Sequence, residues 1–243
     1  MRIGTWNVEY AYENRLEGLR RVLAENPADI WILTETHDDL IPLGCSNVAH
    51  SAPRPKNWSG IRAGSRWVSI WAKFPIVKTV ATIDAERTIC VLLQVSVRET
   101  MLVYGTVMPW HSDRGSRSAE ETVPNWSEHH RVVPIQCAEW SDIMADHKAD
   151  YFYAAGDFNT DMGTGRRYGT KQGIAALRDG LNRAGLFCAT EPGRVPPELL
   201  SDPLIDHIAL PLAWASKTRI EAAWPPRKST LSDHSGVVVS VHP

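Results

Sequence analysis

Residues 151–159 read Tyr-Phe-Tyr-Ala-Ala-Gly-Asp-Phe-Asn, an apolar run that ends in Gly-Asp-Phe-Asn. The first five residues are apolar and mostly aromatic, which predicts a β-strand over Tyr151–Ala155. Asn and Asp favour turns, so Asp157 and Asn159 taken alone are compatible with an ordinary turn at the strand end. Rigid scaffolds also present functional groups at strand ends. This stretch by itself leaves both interpretations open.

Polar clusters stand at four other predicted strand ends: Asn7, Glu35, Asp206-His207 and Asp233-His234. Each has an ordinary explanation, since Asn7 suits a turn, Glu35 suits a helix cap or the surface, and His207 suits an apolar core. Their occurrence together favours a functional site over five separate ordinary explanations. Hydrolysis of a phosphate ester needs a cation on the phosphoryl oxygens, a group that orients the attacking water, and hydrogen-bond donors. Oxygen ligands such as Glu35, Asn7 and Asp233 suit Mg²⁺ or Mn²⁺, so the clusters predict metal-dependent phosphoester chemistry.

Helices and strands are predicted in mixed order along the chain. Residues 14–26 place Leu16, Leu19 and Leu23 on one helical face, with Asn14 and Glu17 at capping-box spacing. Further helices are predicted over 134–147 and 170–184, the second ending at Gly185. Strands are predicted at the N-terminus and over 28–33, 67–73, 89–97, 101–107, 151–155, 205–210 and 237–241. The fold class is therefore α/β.

The composition excludes several classes of protein. The 243 residues are 43% hydrophobic and 22% charged, which is typical of a globular protein, and we expect one domain over residues 1–243. The net charge of −2 excludes a strong overall attraction to polyanions, so a nucleic-acid substrate needs a local basic patch. The four cysteines form no C-x-x-C pair, which predicts reduced thiols in the cytoplasm. No signal peptide or membrane span is predicted, and the oligomeric state is left open.

Five short motifs occur in the order found in a known group of enzymes: Thr5-Trp6-Asn7, Leu33-Thr34-Glu35, Gly156-Asp157-Phe158-Asn159, Ile205-Asp206-His207-Ile208 and Ser232-Asp233-His234. With them the chain resembles the endonuclease/exonuclease/phosphatase superfamily, which includes pancreatic-type deoxyribonucleases, abasic-site endonucleases, inositol polyphosphate phosphatases and sphingomyelinases. The stretch Trp71–Ile76 is also similar to a strand end of that superfamily. The resemblance spans almost the whole chain and implies a four-layer sandwich of two mixed β-sheets packed face to face, with helices on the outer faces.

The resemblance also implies roles for the polar residues. Glu35 resembles the principal metal ligand, and Asn7 and Asp233 resemble either accessory ligands or groups that hold the ligands in place. Asp157 and Asn159 resemble the pair that orients the water and the scissile phosphate. His234 is expected to donate to a phosphoryl oxygen, and Asp206 either orients His234 or activates the water.

His111 occupies a position where the superfamily varies. After the predicted strand over 101–107 the chain reads Met-Pro-Trp-His, where deoxyribonuclease-type enzymes carry a histidine and abasic-site enzymes carry Tyr-x-Pro-Asn. His111 is either a general acid for the leaving group, an effect of roughly 10² to 10⁴ in rate, or a surface histidine at the start of a loop.

The substrate depends on the loops around the site. Basic residues follow two of the motifs, and we expect them to bind substrate phosphates: Arg114, Arg166, Arg167 and Lys171. The tryptophans that could stack on bases are Trp58, Trp67, Trp110 and Trp126. A nuclease that binds DNA or RNA is the main hypothesis. A phosphatase or phosphodiesterase for a small metabolite or lipid head group is the alternative, and a non-enzymatic binding protein is the least favoured because it has no need for clustered acids.

Overall fold

The strands that end in polar clusters belong to two different sheets. The computed structural model describes residues 1–55, 61–118, 120–163, 167–200, 202–226 and 230–242. Within these ranges each sheet has six strands and contains one parallel pair among antiparallel pairs. The two sheets thus carry different motifs, and their packing brings these motifs together.

The first sheet contains both ends of the described chain. Its strands, in spatial order, are β11 (Thr218–Trp224), β12 (Gly236–Val241), β1 (Arg2–Asn7), β2 (Ile30–His37), β4 (Ser65–Ala72) and β3 (Asn47–His50). The second sheet has the order β5 (Ile76–Val80), β6 (Thr88–Gln94), β7 (Thr100–Val107), β8 (Tyr151–Asp157), β10 (Asp206–Pro211) and β9 (Leu186–Cys188). The helices are α1 (Leu16–Glu25), α2 (Ser127–Asp146) and α3 (Lys171–Arg183), with single turns of 3-10 helix at Glu9–Ala11, Glu13–Arg15 and Leu212–Lys217.

Alternation along the strands produces three apolar layers. In β7, Met101 and Val103 face the core between the sheets, whereas Leu102 and Tyr104 face α2 and α3. On the other side, α1 packs its buried leucines on the outer face of the first sheet, against Trp31. The result is the four-layer sandwich that the resemblance implied.

Two details of the predicted helices are wrong. The capping box at Asn14 does not form, because residues 13–15 make a 3-10 turn and α1 begins at Leu16 without a side-chain cap. Arg15 instead donates to Glu9 at 2.8 Å and to the carbonyl of Leu231 at 3.0 Å, which holds this turn. Helix α2 begins seven residues earlier than predicted, and Pro134 lies inside it.

No helix among the described residues is long and apolar enough to cross a membrane. The four cysteines are buried free thiols.

Candidate active site

The strand ends of both sheets converge on one place. Asn7 ends β1, and Glu35 lies beside it in β2, because the parallel register pairs Asn7 with Thr34. Asp157 ends β8 and is the register partner of Asp206, the first residue of β10. The predicted strand-end residues are therefore brought together from both sheets.

Asn7 joins the two sheets at this point. Its side-chain Nδ2 donates to Glu35 Oε1 at 3.3 Å and to Asp157 Oδ2 at 3.1 Å, and its Oδ1 accepts from the backbone N–H of Glu9 at 2.9 Å. Only 1% of Asn7 is exposed. An amide buried between two carboxylates fixes both of them in place.

His234 forms a buried cluster with two aspartates. Its Nδ1 lies 2.6 Å from Asp206 Oδ2, and single atoms of Asp157, Asp206 and His234 lie within 4.8 Å of one another. Burial lowers the pKa of His234, but the carboxylates of Asp206 and Asp157 outweigh burial and raise it to about 10. Burial, together with the charge of Asp206, raises the pKa of Asp157 to about 7. His234 is therefore an imidazolium at neutral pH, and Asp157 holds a proton more readily than an ordinary aspartate does.

The turn after β8 is the Asx turn that its sequence allows. The backbone N–H of Asn159 donates to Asp157 Oδ1 at 2.8 Å, which is an Asx turn, and Asn159 Nδ2 donates to the carbonyl of Met108 at 2.8 Å. Gly156 has a φ of +134°, where an L side chain is strained. The turn thus fixes the position of Asp157 beside Asp206 and His234.

The last motif is tied to the first strand. Ser232 Oγ donates to the carbonyl of Asn7 at 2.6 Å and accepts from the N–H of His234 at 3.0 Å. Asp233 is half exposed, with Oδ1 3.8 Å from His234 Nε2. The neighbouring His207 is a satisfied core histidine, as its apolar flanks predicted, with Nε2 2.8 Å from the carbonyl of Thr160 and Nδ1 2.9 Å from Thr190 Oγ1.

These side chains surround an open cavity of about 250 Å³. Its lining residues are Tyr10, Glu35, Trp67, Trp110, Asp157, Asn159, Tyr168 and His234. Sequence reasoning missed the two tyrosines, because they reach the cavity from irregular segments. Tyr10 projects from a turn in which residues 9–11 all have positive φ, a strained conformation that clusters at functional sites.

His111 is exposed and does not line this cavity. Its Nδ1 lies 3.4 Å from the hydroxyl of Tyr168, and Trp126 packs edge-on against the Tyr168 ring with centroids 5.1 Å apart. His111 therefore reaches the cavity only through Tyr168.

Of the expected basic residues that the structure describes, Arg114, Arg167 and Lys171, none lines this cavity. Arg114 donates to the carbonyl of Ser118 at 2.7 Å, and Arg167 pairs with Asp202. Lys171 is exposed at the start of α3, whereas Arg166 and Trp58 lie outside the described residues. Among the basic residues of the described ranges, Arg54 approaches the catalytic carboxylates, with Nη1 3.7 Å from Glu35 Oε2.

The donor set fits a hard divalent cation. Glu35 and Asp233 offer carboxylate oxygens, and Asn7 offers an amide oxygen that accepts from the Glu9 N–H. Burial raises the pKa of Glu35, although Arg54 and His234 oppose this shift. Asp206 Oδ1 is buried without a hydrogen-bond partner in the described part of the chain. Asp157, Asp206 and His234 also lie close enough together to hold a cation, and His234 Nδ1 contacts Asp206 Oδ2 at 2.6 Å.

Comparison with known proteins identifies one family and several solved structures with a similar fold. A sequence profile of the Endonuclease/Exonuclease/phosphatase family matches residues 4–234. Among solved structures, an AP endonuclease from Archaeoglobus fulgidus superposes with a TM-score of 0.67 at 15% identity, over 100% of both chains. The 3' phosphatase NExo from Neisseria, bound to product DNA hairpin, gives 0.64 at 15% identity, again over 100% of both chains. Sphingomyelinase C from Streptomyces griseocarneus gives 0.61 at 16% identity, over 100% of this chain and 99% of the other. No curated protein sequence matches significantly. These likenesses confirm the sandwich fold.

Proposed function

The chain belongs to the endonuclease/exonuclease/phosphatase family, whose members hydrolyse phosphoric esters, and on this premise we propose that it is a divalent-metal-dependent nuclease. The observation that carries the proposal is the convergence of Glu35, Asp157 and His234 on one cavity with aromatic walls. Carboxylates and an imidazolium serve phosphodiester hydrolysis, and aromatic rings stack on bases. Two of the superposed structures are a DNA-bound enzyme and an AP endonuclease, which supports a nucleic-acid substrate.

Glu35, Asn7 and Asp233 would hold Mg²⁺ or Mn²⁺. Such a cation supplies positive charge to the phosphoryl oxygens. Removal of divalent ions by EDTA is expected to abolish hydrolysis, and Mg²⁺ or Mn²⁺ should restore it. Activity that persists after exhaustive chelation would contradict the proposal.

The other polar residues of the site have separate roles in the proposed reaction. Asp157 accepts a proton from the attacking water, a role that suits a carboxylate whose pKa is raised by burial to about 7. His234 donates from Nε2 to a phosphoryl oxygen, while Asp206 holds its Nδ1 at 2.6 Å. That short contact supports orientation of His234, rather than activation of water, as the role of Asp206. Asn159 shares the cavity and orients the phosphate.

We assign protonation of the leaving group to His111 acting through the Tyr168 hydroxyl. The test compares two substrates with different leaving groups. Nitrophenolate leaves without being protonated, whereas the alkoxide of a nucleoside must be protonated as it leaves. His111→Ala and Tyr168→Phe should each lower turnover of DNA by about 10² or more, with less than a tenfold loss on bis(p-nitrophenyl) phosphate. Equal losses on both substrates would remove this assignment.

A small phosphoester or lipid head group is the second candidate substrate. It is favoured by the net charge of −2 and by Arg114 and Arg167 being engaged with other protein groups. The fold is also similar to that of a sphingomyelinase C. We place the enzyme in the cytoplasm, in keeping with the pattern of free cysteines.

One panel of assays separates these candidates. Purified protein with Mg²⁺ or Mn²⁺ is incubated with plasmid, single-stranded DNA, RNA and bis(p-nitrophenyl) phosphate. We expect cleavage of a nucleic acid that weakens steeply with salt. Asp157→Ala and His234→Ala should abolish it without unfolding the protein, whereas Asp179→Asn, on the exposed side of α3, should leave it unchanged. Cleavage of the small ester alone would refute the nuclease.

A further inference from the structure

Arg54 is a buried cation that lies behind two aromatic residues of the catalytic cavity and itself lines the neighbouring cavity. It follows β3, and only 5% of the residue is exposed. Its Cζ lies 3.5 Å from the centroid of the Trp67 ring and 4.7 Å from that of the Tyr10 ring, and both rings line the catalytic cavity. Stacking on two aromatic rings fixes the plane of the guanidinium.

The two Nη groups of the guanidinium have no hydrogen-bond partner of good geometry within the described ranges, and the groups that act on it electrostatically include Glu35 and the Tyr10 hydroxyl. Arg54 Nη1 lies 3.7 Å from Glu35 Oε2, which is an ion-pair distance but too long for a hydrogen bond. Buried donors of this kind are rare, because leaving them unsatisfied costs free energy. A ligand that brings anionic oxygens would satisfy them.

A second cavity adjoins the catalytic one at this residue. It measures about 340 Å³, and it is lined by Trp67 and Trp110, by the basic residues Arg54, Arg87, Arg114 and Arg117, and by the acidic residues Glu86 and Asp113. The Arg87 guanidinium lies 5.1 Å from the Trp67 ring and 5.2 Å from the Trp110 ring. Because Trp67 and Trp110 also line the catalytic cavity, the two cavities are neighbours that share an aromatic wall.

We propose that Arg54 is a specificity-determining residue that binds the phosphate next to the scissile phosphate. The inference rests on the proposed function and narrows it to substrates that carry two neighbouring phosphates, such as an oligonucleotide. A guanidinium suits this task, because its two Nη groups form parallel hydrogen bonds to two phosphate oxygens. A choline-type head group with one phosphodiester would leave Arg54 unsatisfied.

Binding of dinucleotides tests this without catalysis. Calorimetry in EDTA compares the dinucleotide TpT, which has one phosphate, with pTpT and TpTp, which carry a second phosphate at either end. The wild type should bind at least one phosphorylated form about ten to a hundred times more tightly than TpT. Arg54→Gln should remove this preference, and Arg54→Lys, which keeps the charge without the fork, should keep only part of it. Arg183→Gln, in α3 and paired with Asp179, is the control that should keep all of it.

Two results would overturn the proposal. One is a wild type that binds the three dinucleotides equally. The other is an Arg54→Gln variant that keeps the preference. An altered affinity of that variant for Mn²⁺ in a separate titration would then show that Arg54 acts on Glu35 instead. If Arg54→Gln does not fold, Arg54→Lys decides the matter. Hydrolysis is not measured here, so failure of the nuclease assay and loss of the phosphate preference are independent results.

Discussion

Gly156 allows Asp157 to reach the site, and replacing it with alanine is the sharpest test of the geometry. Gly156 pairs with Thr106 of β7, and an added Cβ would lie 2.0 Å from the Thr106 carbonyl oxygen and 3.0 Å from its nitrogen. Real Cβ contacts essentially never fall below 3.0 Å, so the end of β8 must move by at least 1.0 Å. The φ of +134° adds strain for any L side chain.

The expected loss of stability in Gly156→Ala follows from the strained φ and from the steric overlap of the added Cβ. A strained φ costs about 1 to 3 kcal/mol, and overpacking costs about as much again. Gly156→Ala should therefore lower the free energy of unfolding by about 2 to 6 kcal/mol, a large part of the ~5–15 kcal/mol of an ordinary domain. A shift of 1 Å at a catalytic group costs about 10² in rate, so kcat/KM should fall by at least that factor.

Urea unfolding followed by tryptophan fluorescence, together with turnover of the best substrate, measures both losses. Gly185→Ala is the matched control, because Gly185 has a φ of +64° with no atom within 4 Å of the added Cβ. It should cost only about 1 kcal/mol and leave turnover unchanged. If Gly156→Ala is no less stable than Gly185→Ala, or turns over like the wild type, the account of this strand end is wrong.

Three other predictions follow. Burial lowers the pKa of His129 to about 4, so the folded state binds fewer protons than the unfolded state, and the free energy of unfolding should fall by about 2 kcal/mol from pH 7 to pH 5. In urea titrations His129→Gln should lose less free energy of unfolding over that range. Equal losses in the variant and the wild type would exclude His129 as the cause. Tyr104→Phe removes the buried 2.6 Å hydrogen bond to Glu139, so thermal unfolding should show a loss of about 1.5–3 kcal/mol, and an unchanged melting temperature would contradict this. Asn7→Asp places a third carboxylate between Glu35 and Asp157, so the variant should melt at a lower temperature than the wild type in EDTA. Addition of Mg²⁺ should raise the melting temperature of the variant more than that of the wild type. Equal effects of Mg²⁺ on both proteins would argue against metal binding beside Asn7.

The strands that sequence patterns failed to predict are the four sheet edges, β3, β5, β9 and β11. An edge strand is short or covered on one side only, and β5 has three exposed residues among its five. Its residues therefore lack the apolar run that identified central strands such as β8. Central strands were predicted because a strand that is buried on both faces has a nearly continuous run of apolar residues.

The same distinction applies to the site. Glu35, Asp157 and His234 stand next to central strands, so their positions along the chain already imply that they meet. Arg54 and Tyr168 lie in loops, and no periodicity states where a loop places its side chains. The basic loops were expected at the substrate for their charge alone, whereas Arg167 is paired with Asp202.

The position of β12 has a consequence for how the protein folds. This strand, one of the last segments in sequence, lies between β11 and β1, and it pairs Val237 with Thr5. Contacts so distant in sequence form slowly, because a long loop must close first. Until they form, β1 lacks one neighbour, and its Asn7 lacks the anchor supplied by Ser232. We expect catalytic competence to appear only at the end of refolding, in step with the slowest recovery of tryptophan fluorescence, and a growing chain on the ribosome to be inactive until this strand has emerged.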